Sequence, residues 1–187
     1  MSRNALFAAL LFATPAMAEG DGPGPNLVIQ VTGAANGEIV IDMNADAAPK
    51  HVAQIVALAK AGSYDNVVFH RVIDGFMAQT GDVQYGKMGG DTSMAGMGGS
   101  DMPDIPAEFS TVPFERGIVG MARSQNPDSA NSQFFIMFAP GDFLNGQYTV
   151  VGKVISGMEV VDQIKKGAGQ NGEVTEPDVM AKVTVTE

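Results

Sequence analysis

One hundred and eighty-seven residues, 45% of them apolar, suit one domain with its own core, since domains usually run ~100–200 residues. Cysteine and tryptophan are absent, which excludes a disulfide framework, thiolate metal sites and a cysteine nucleophile. A formal charge of −10 argues against nucleic acid or an anionic membrane as partner.

Residues 1–18 read as a secretory signal peptide. Arg3 supplies the positive start, Ala5 to Ala13 the short apolar core, and Ala16-Met17-Ala18 an A-x-A cleavage site. The segment is too short to span a bilayer, which takes ~20 apolar residues. The alternative is a buried N-terminal helix. A mature chain beginning near Glu19, without a membrane span, is expected in a bacterial periplasm or outside the cell. Residues 19–26 are expected to be a flexible leader, and residues 27–187 a single domain.

Leu27 to Val31 and Glu38 to Met43 are strand-like runs joined through Asn36-Gly37, a hairpin signal. Pro49 starts a helix whose Val52, Ile55, Val56 and Ala59 follow the 3.6 period, and Gly62 closes it. This amphipathic helix is expected to cap one mouth of a barrel, with His51 solvated near its start. Residues 69–82 read as strand, tight reversal at Asp74-Gly75, strand. The stretch from Val83 to about Phe109 is long, irregular and rich in glycine, and it carries Met88, Met94, Met97 and Met102. Three readings stay open for it: a mobile surface loop, a thioether cluster for Cu(I), or an adaptable apolar surface for unfolded peptide.

The second half is rich in strands. Gly117 to Ala122, Ser132 to Phe138 and Tyr148 to Ile155 are apolar or β-branched runs, Gly157 to Lys166 is a second amphipathic helix, and Val179 to Val185 is a last strand. About eight strands, two helices and short hairpins favour a sheet closed on itself, which removes its open edges. The expected fold is mainly β: a closed eight-stranded antiparallel barrel capped by two α-helices.

Several chemistries are excluded by pattern. The run Gly96 to Ser100 lacks the spacing of a phosphate-binding loop, and no G-x-S-x-G elbow occurs. With only His51 and His70, the latter read as strand-buried, a histidine triad or zinc site is disfavoured. An Asp82/Asp91 pair is the remaining candidate for a hydrolytic dyad. In the 69–82 hairpin, strand parity puts Phe69 beside Arg71 and Met77 beside Gln79. A guanidinium and an amide among apolar side chains make a poor core layer, but they suit an apolar ligand that carries a carbonyl.

Phe69-His70-Arg71 through Phe76-Met77-Ala78-Gln79-Thr80-Gly81-Asp82 closely resembles the signature of the cyclophilins, peptidyl-prolyl cis-trans isomerases built on a closed barrel. Gly117 to Ala122 followed by Asn131-Ser-Gln-Phe-Phe-Ile136 resembles the family's second signature, and the match extends over roughly residues 27–187. The resemblance implies Arg71 as the catalytic donor, oriented by Gln79. It implies Phe76 and Met77 as pocket wall, Ala122, Arg123 and Ser124 as a backbone rail for peptide, and Gln133 and Phe135 lining the site. Phe143, Leu144 and Tyr148 fall where many members carry Trp, Leu and His. Phe143 therefore lacks the indole N–H that helps bind cyclosporin, so weak drug binding is expected. No metal or cofactor is implied. The expected partners are proline-containing peptides and unfolded exported proteins, and the expected state is a monomer. The rival from another class is a binding module that holds proline peptides without turnover; intact Arg71 and Gln79 argue against it.

Overall fold

The computed structural model describes residues 21–187, so the signal-peptide segment at 1–18 lies outside the described residues. Among the described residues nine strands form one strongly curled antiparallel sheet: β1 (Asn26–Thr32), β2 (Gly37–Met43), β3 (Val67–Val68), β4 (Arg71–Ile73), β5 (Met77–Thr80), β6 (Ile118–Met121), β7 (Phe134–Met137), β8 (Val150–Ser156) and β9 (Val179–Thr186). Their order across the sheet is β3-β9-β1-β2-β8-β6-β7-β5-β4. Helix α1 (Pro49–Lys60) packs on β9 and α2 (Met158–Gln163) on β2.

The closed eight-stranded barrel of the sequence reading needs correction. The strand expected from Phe69 begins only at Arg71, and a ninth strand, Val67–Val68, precedes it; Phe69 and His70 carry the chain from one end of the sheet to the other. Among the described residues no ladder joins β3 to β4. Thr80 Oγ1 instead donates to Val68 O across the gap at 2.9 Å. The outer edge of β4 is lined by residues 167–174: Val72 N–H donates to Gly172 O at 2.7 Å, Gly167 N–H to Val72 O at 2.8 Å, and Val174 N–H to His70 O at 3.2 Å.

Alternation along the strands builds two apolar layers. Ile39, Ile41, Val72, Ala78, Phe134 and Ile136 point into the curl and join α1 in the main core. Their sequence neighbours Ile73, Met77, Phe135 and Met137 point outward and form a smaller cluster with Phe114, Leu144 and Val150. That outer cluster is the floor of the site.

Two other expectations change. His51 is not solvated: it is fully buried, with Nδ1 2.7 Å from Glu108 Oε2. The leader is tied down in part, since Gly22 N–H donates to Asp42 Oδ2 at 3.0 Å and Pro25 O accepts from Met43 N–H at 3.0 Å.

Candidate functional site

Register sets the site. Arg71 on β4 stands opposite Gln79 on β5, Gln79 opposite Phe135 on β7, and Phe135 opposite Gly120 on β6. Directly opposed residues share a face, so this row crosses four strands on the outer side of the sheet. A second row, Ile73, Met77 and Met137, runs parallel to it.

Above these rows lies a groove of about 260 Å³ lined by Arg71, Phe76, Met77, Gln79, Ala122, Arg123, Phe135, Phe143, Leu144 and Tyr148. Its aromatic walls are mutually braced. Phe135 stacks on Phe114 at 5.8 Å and meets the Tyr148 ring edge-on at 5.9 Å, and Phe76 leans on Phe143 at 5.5 Å. Leu144 is held by a single turn of 3-10 helix, Asp142–Leu144, which leaves Phe143 70% exposed at the rim.

The polar side is a directed hydrogen-bond line. Arg71 Nε donates to Asn171 O at 3.0 Å and Arg71 NH1 to Gln79 Oε1 at 3.1 Å. Gln79 Nε2 in turn donates to Gln133 Oε1 at 2.9 Å. These two contacts hold the guanidinium plane at the edge of the groove. The Arg123 guanidinium lies 4.3 Å from the centre of the Tyr148 ring and donates to Ser124 O and Gln147 O at 2.9 and 2.8 Å.

Most of the sequence-predicted residues meet here, but three do not line this groove. Phe69 is fully buried in the main core, with its N–H on Asp178 O at 2.9 Å. Parity with Arg71 fails because the strand breaks between them. Ser124 and Gln133 line a neighbouring polar cavity of about 550 Å³, together with Gly96 to Ser100, Asp104 and Asn131; Gln79, Ala122 and Arg123 border both. Within the expected rail, the N–H groups of Ala122 and Ser124 already donate to Gln133 O and Ser129 Oγ at 3.0 Å each. Phe76 sits in the β4–β5 turn, so strand parity does not govern it.

The Asp82/Asp91 dyad is not formed. Asp82 is fully buried and spends its oxygens on backbone N–H groups, whereas Asp91 is exposed. Asn171, whose carbonyl steadies Arg71, carries no sequence signal, because the contact joins residues a hundred positions apart. Among the described residues no three His, Cys, Asp or Glu side chains converge as for a metal ion. Met88, Met94 and Met97 are 46%, 50% and 75% exposed. Also among the described residues, no helix is long and apolar enough to cross a membrane.

A sequence model described as "Cyclophilin type peptidyl-prolyl cis-trans isomerase/CLD" matches residues 27–185. The chain is 55% identical over 184 residues to a probable peptidyl-prolyl cis-trans isomerase of Brucella suis, covering 97% of this chain and 92% of that protein. It is 37% identical over 165 residues to peptidyl-prolyl cis-trans isomerase B of Escherichia coli K12, covering 81% of this chain and 96% of that one. Among solved structures, a cyclophilin type isomerase of Cryptosporidium parvum, crystallised in the presence of the dipeptide Ala-Pro, aligns with a TM-score of 0.73 at 25% identity. That alignment covers 87% of this chain and 99% of the other.

Proposed function

Because the chain belongs to the cyclophilin-type peptidyl-prolyl cis-trans isomerase family, and is an isomerase of that type, we propose that Arg71 is the donor that lowers the rotation barrier while the apolar groove holds the proline ring. The peptide C–N bond owes its ~18–20 kcal/mol barrier to resonance, and the uncatalysed change takes ~10–100 s. As the bond twists, the proline nitrogen regains a lone pair. A charged N–H aimed at that nitrogen stabilises the twisted state more than the planar one, which is the condition for faster turnover. Nothing is transferred, so no nucleophile or cofactor takes part.

The observation that carries this reading is the clamped guanidinium of Arg71, held between Gln79 Oε1 and Asn171 O at the edge of an apolar groove. Phe76, Met77, Phe135, Leu144 and Tyr148 surround the ring, and the chain preceding it follows Ala122 to Ser124 toward the polar cavity. Reaching ~10²–10³ s⁻¹ needs roughly 4–7 kcal/mol, within reach of a charge-assisted hydrogen bond plus a preorganised pocket.

The test is the cis-to-trans rate of an Ala-Pro-Phe reporter with the wild type and with Arg71→Ala. A loss of ~10²–10³-fold in kcat/KM is expected. Acceleration that survives the substitution overturns the assignment of Arg71. We also propose that the clients are newly exported proteins in the periplasm, on the strength of Arg3, the apolar run and Ala16-Met17-Ala18. N-terminal sequencing of the protein recovered from a periplasmic fraction checks this, with Glu19 as the expected first residue. Weak cyclosporin binding follows from Phe143, which offers no indole N–H. Calorimetric titration against a Phe143→Trp variant is expected to show tighter binding in the variant.

A further inference from the structure

We infer that Asp82 is a positioning residue for Arg71, acting through the glycine- and methionine-rich loop. The inference rests on the reading of Arg71 as donor. Asp82 is fully buried, and its carboxylate gathers four backbone N–H groups from two separate places. Oδ1 accepts from Gln84 at 3.0 Å and Tyr85 at 2.9 Å, where the loop begins. Oδ2 accepts from Gly96 at 2.7 Å and Gly98 at 2.9 Å, on the loop's far side. One acid therefore ties the start of the loop to its middle.

The same two glycines face the site with their carbonyls. Gln133 Nε2 donates to Gly96 O at 3.0 Å and to Gly98 O at 2.7 Å. An amide nitrogen has two hydrogens, and both are used. The sense of the Gln133 amide is thereby fixed, with Oε1 toward Gln79. Gln79 must then present Nε2 to Gln133, which leaves Oε1 for Arg71 NH1. A reversed Gln79 amide would set N–H against guanidinium N–H. The polarity of the line is thus set by the two loop carbonyls, and Asp82 holds them in place through the N–H groups of the same glycines; the order runs Asp82, loop, Gln133, Gln79, Arg71.

The backbone of the arm is matched to this task. Gly96 has φ +100°, a conformation that side chains rarely adopt, and a Cβ on Gly98 would meet Asp82 Oδ1 at 2.6 Å and the Tyr85 ring at 2.8 Å. The loop for which the sequence leaves three readings is an arm through which Asp82 places the carbonyls that orient Gln133.

The experiment compares Asp82→Asn and Gly98→Ala with the wild type in the full mature chain, by reporter kinetics and by the side-chain N–H resonances of Gln79, Gln133 and Arg71 Nε. A ~10-fold fall in kcat is expected, with KM changed less than ~2-fold, and all three resonances shifted. Added to Arg71→Ala, either substitution is expected to cost no further activity. A folded variant with unchanged kcat, or an equal loss with and without Arg71, overturns the inference. Should Asp82→Asn not fold, Gly98→Ala keeps the buried acid and decides alone. If Arg71→Ala proves fully active, the donor reading fails by itself; shifted resonances would still support the link to Asp82 and unshifted ones would overturn it.

Discussion

Gly120 stands in the one place of the outer row where a side chain has no room. A Cβ there would meet Phe114 Cε1 and Phe135 Cζ at 2.6 Å each, and both rings are buried. Gly120→Ala is therefore expected to push the Phe135 ring into the groove, cost ~1–3 kcal/mol of stability and raise KM for the reporter peptide. Denaturant melts and steady-state kinetics check the two effects separately. His70 gives a pH prediction. Burial lowers its pKa from the ordinary 6.5, the nearby Asp82 charge opposes that shift, and Arg71 adds to it. Among the described residues neither ring nitrogen has a hydrogen-bond partner. The unfolded chain thus takes up a proton near pH 6.5 that the fold resists, so this stability is fully present above that pH and declines as pH falls. A Tm that drops between pH 7 and pH 5, and drops less in His70→Gln, is the expected result. An equally steep slope in the variant would discard it.

At the scale of single elements, α1 was legible at its start and its end, while its anchor was not. Pro49 and the spacing of Val52, Ile55 and Ala59 mark the helix, and Gly62 takes φ +70° just beyond it. Its N-cap position is Ala48, which offers no side-chain acceptor. Glu108 supplies one from the end of the long loop, accepting from Lys50 N–H at 3.1 Å and from His51 N–H at 3.1 Å. No local pattern reveals a cap delivered from 57 or 58 residues away. The burial of Glu108 disfavours its charge, but the His51 side chain and these N–H groups outweigh that and lower its pKa below the usual 4.5. Its contribution is present above pH 4.5 and lost as pH falls through the depressed value. Glu108→Ala is expected to cost ~1–2 kcal/mol, read from urea melts at pH 7. Helix α2 was overestimated for a related reason. Val161 and Ile164 keep the period, but Asp178 Oδ2 draws Lys165 N–H to 2.7 Å and the helix stops at Gln163.

Across the whole molecule, the order of elements and both site motifs could be read from periodicity and resemblance. The count of strands could not. Val67-Val68-Phe69-His70-Arg71 looks continuous, and only the pairing of β3 with β9 and of β4 with β5 breaks it. That break sends Phe69 inward and removes it from the site. Long-range pairing also makes the C-terminus indispensable. β9 lies between β3 and β1, with Val179, Met180 and Val183 buried. Deleting residues 179–187 is expected to abolish cooperative unfolding in circular dichroism, and a retained sharp transition would refute it.

The strip of chain at 167–174 along β4 has a consequence for how an extended client is handled. An exposed strand edge is a template on which unfolded polypeptide can add itself, the first step toward fibrous aggregates. Arg71 stands on such an edge strand, yet the outward-facing backbone of that strand is filled by the chain's own glycines. An extended polypeptide approaching Arg71 finds that template occupied. Ladder pairing along β4 is therefore closed to it.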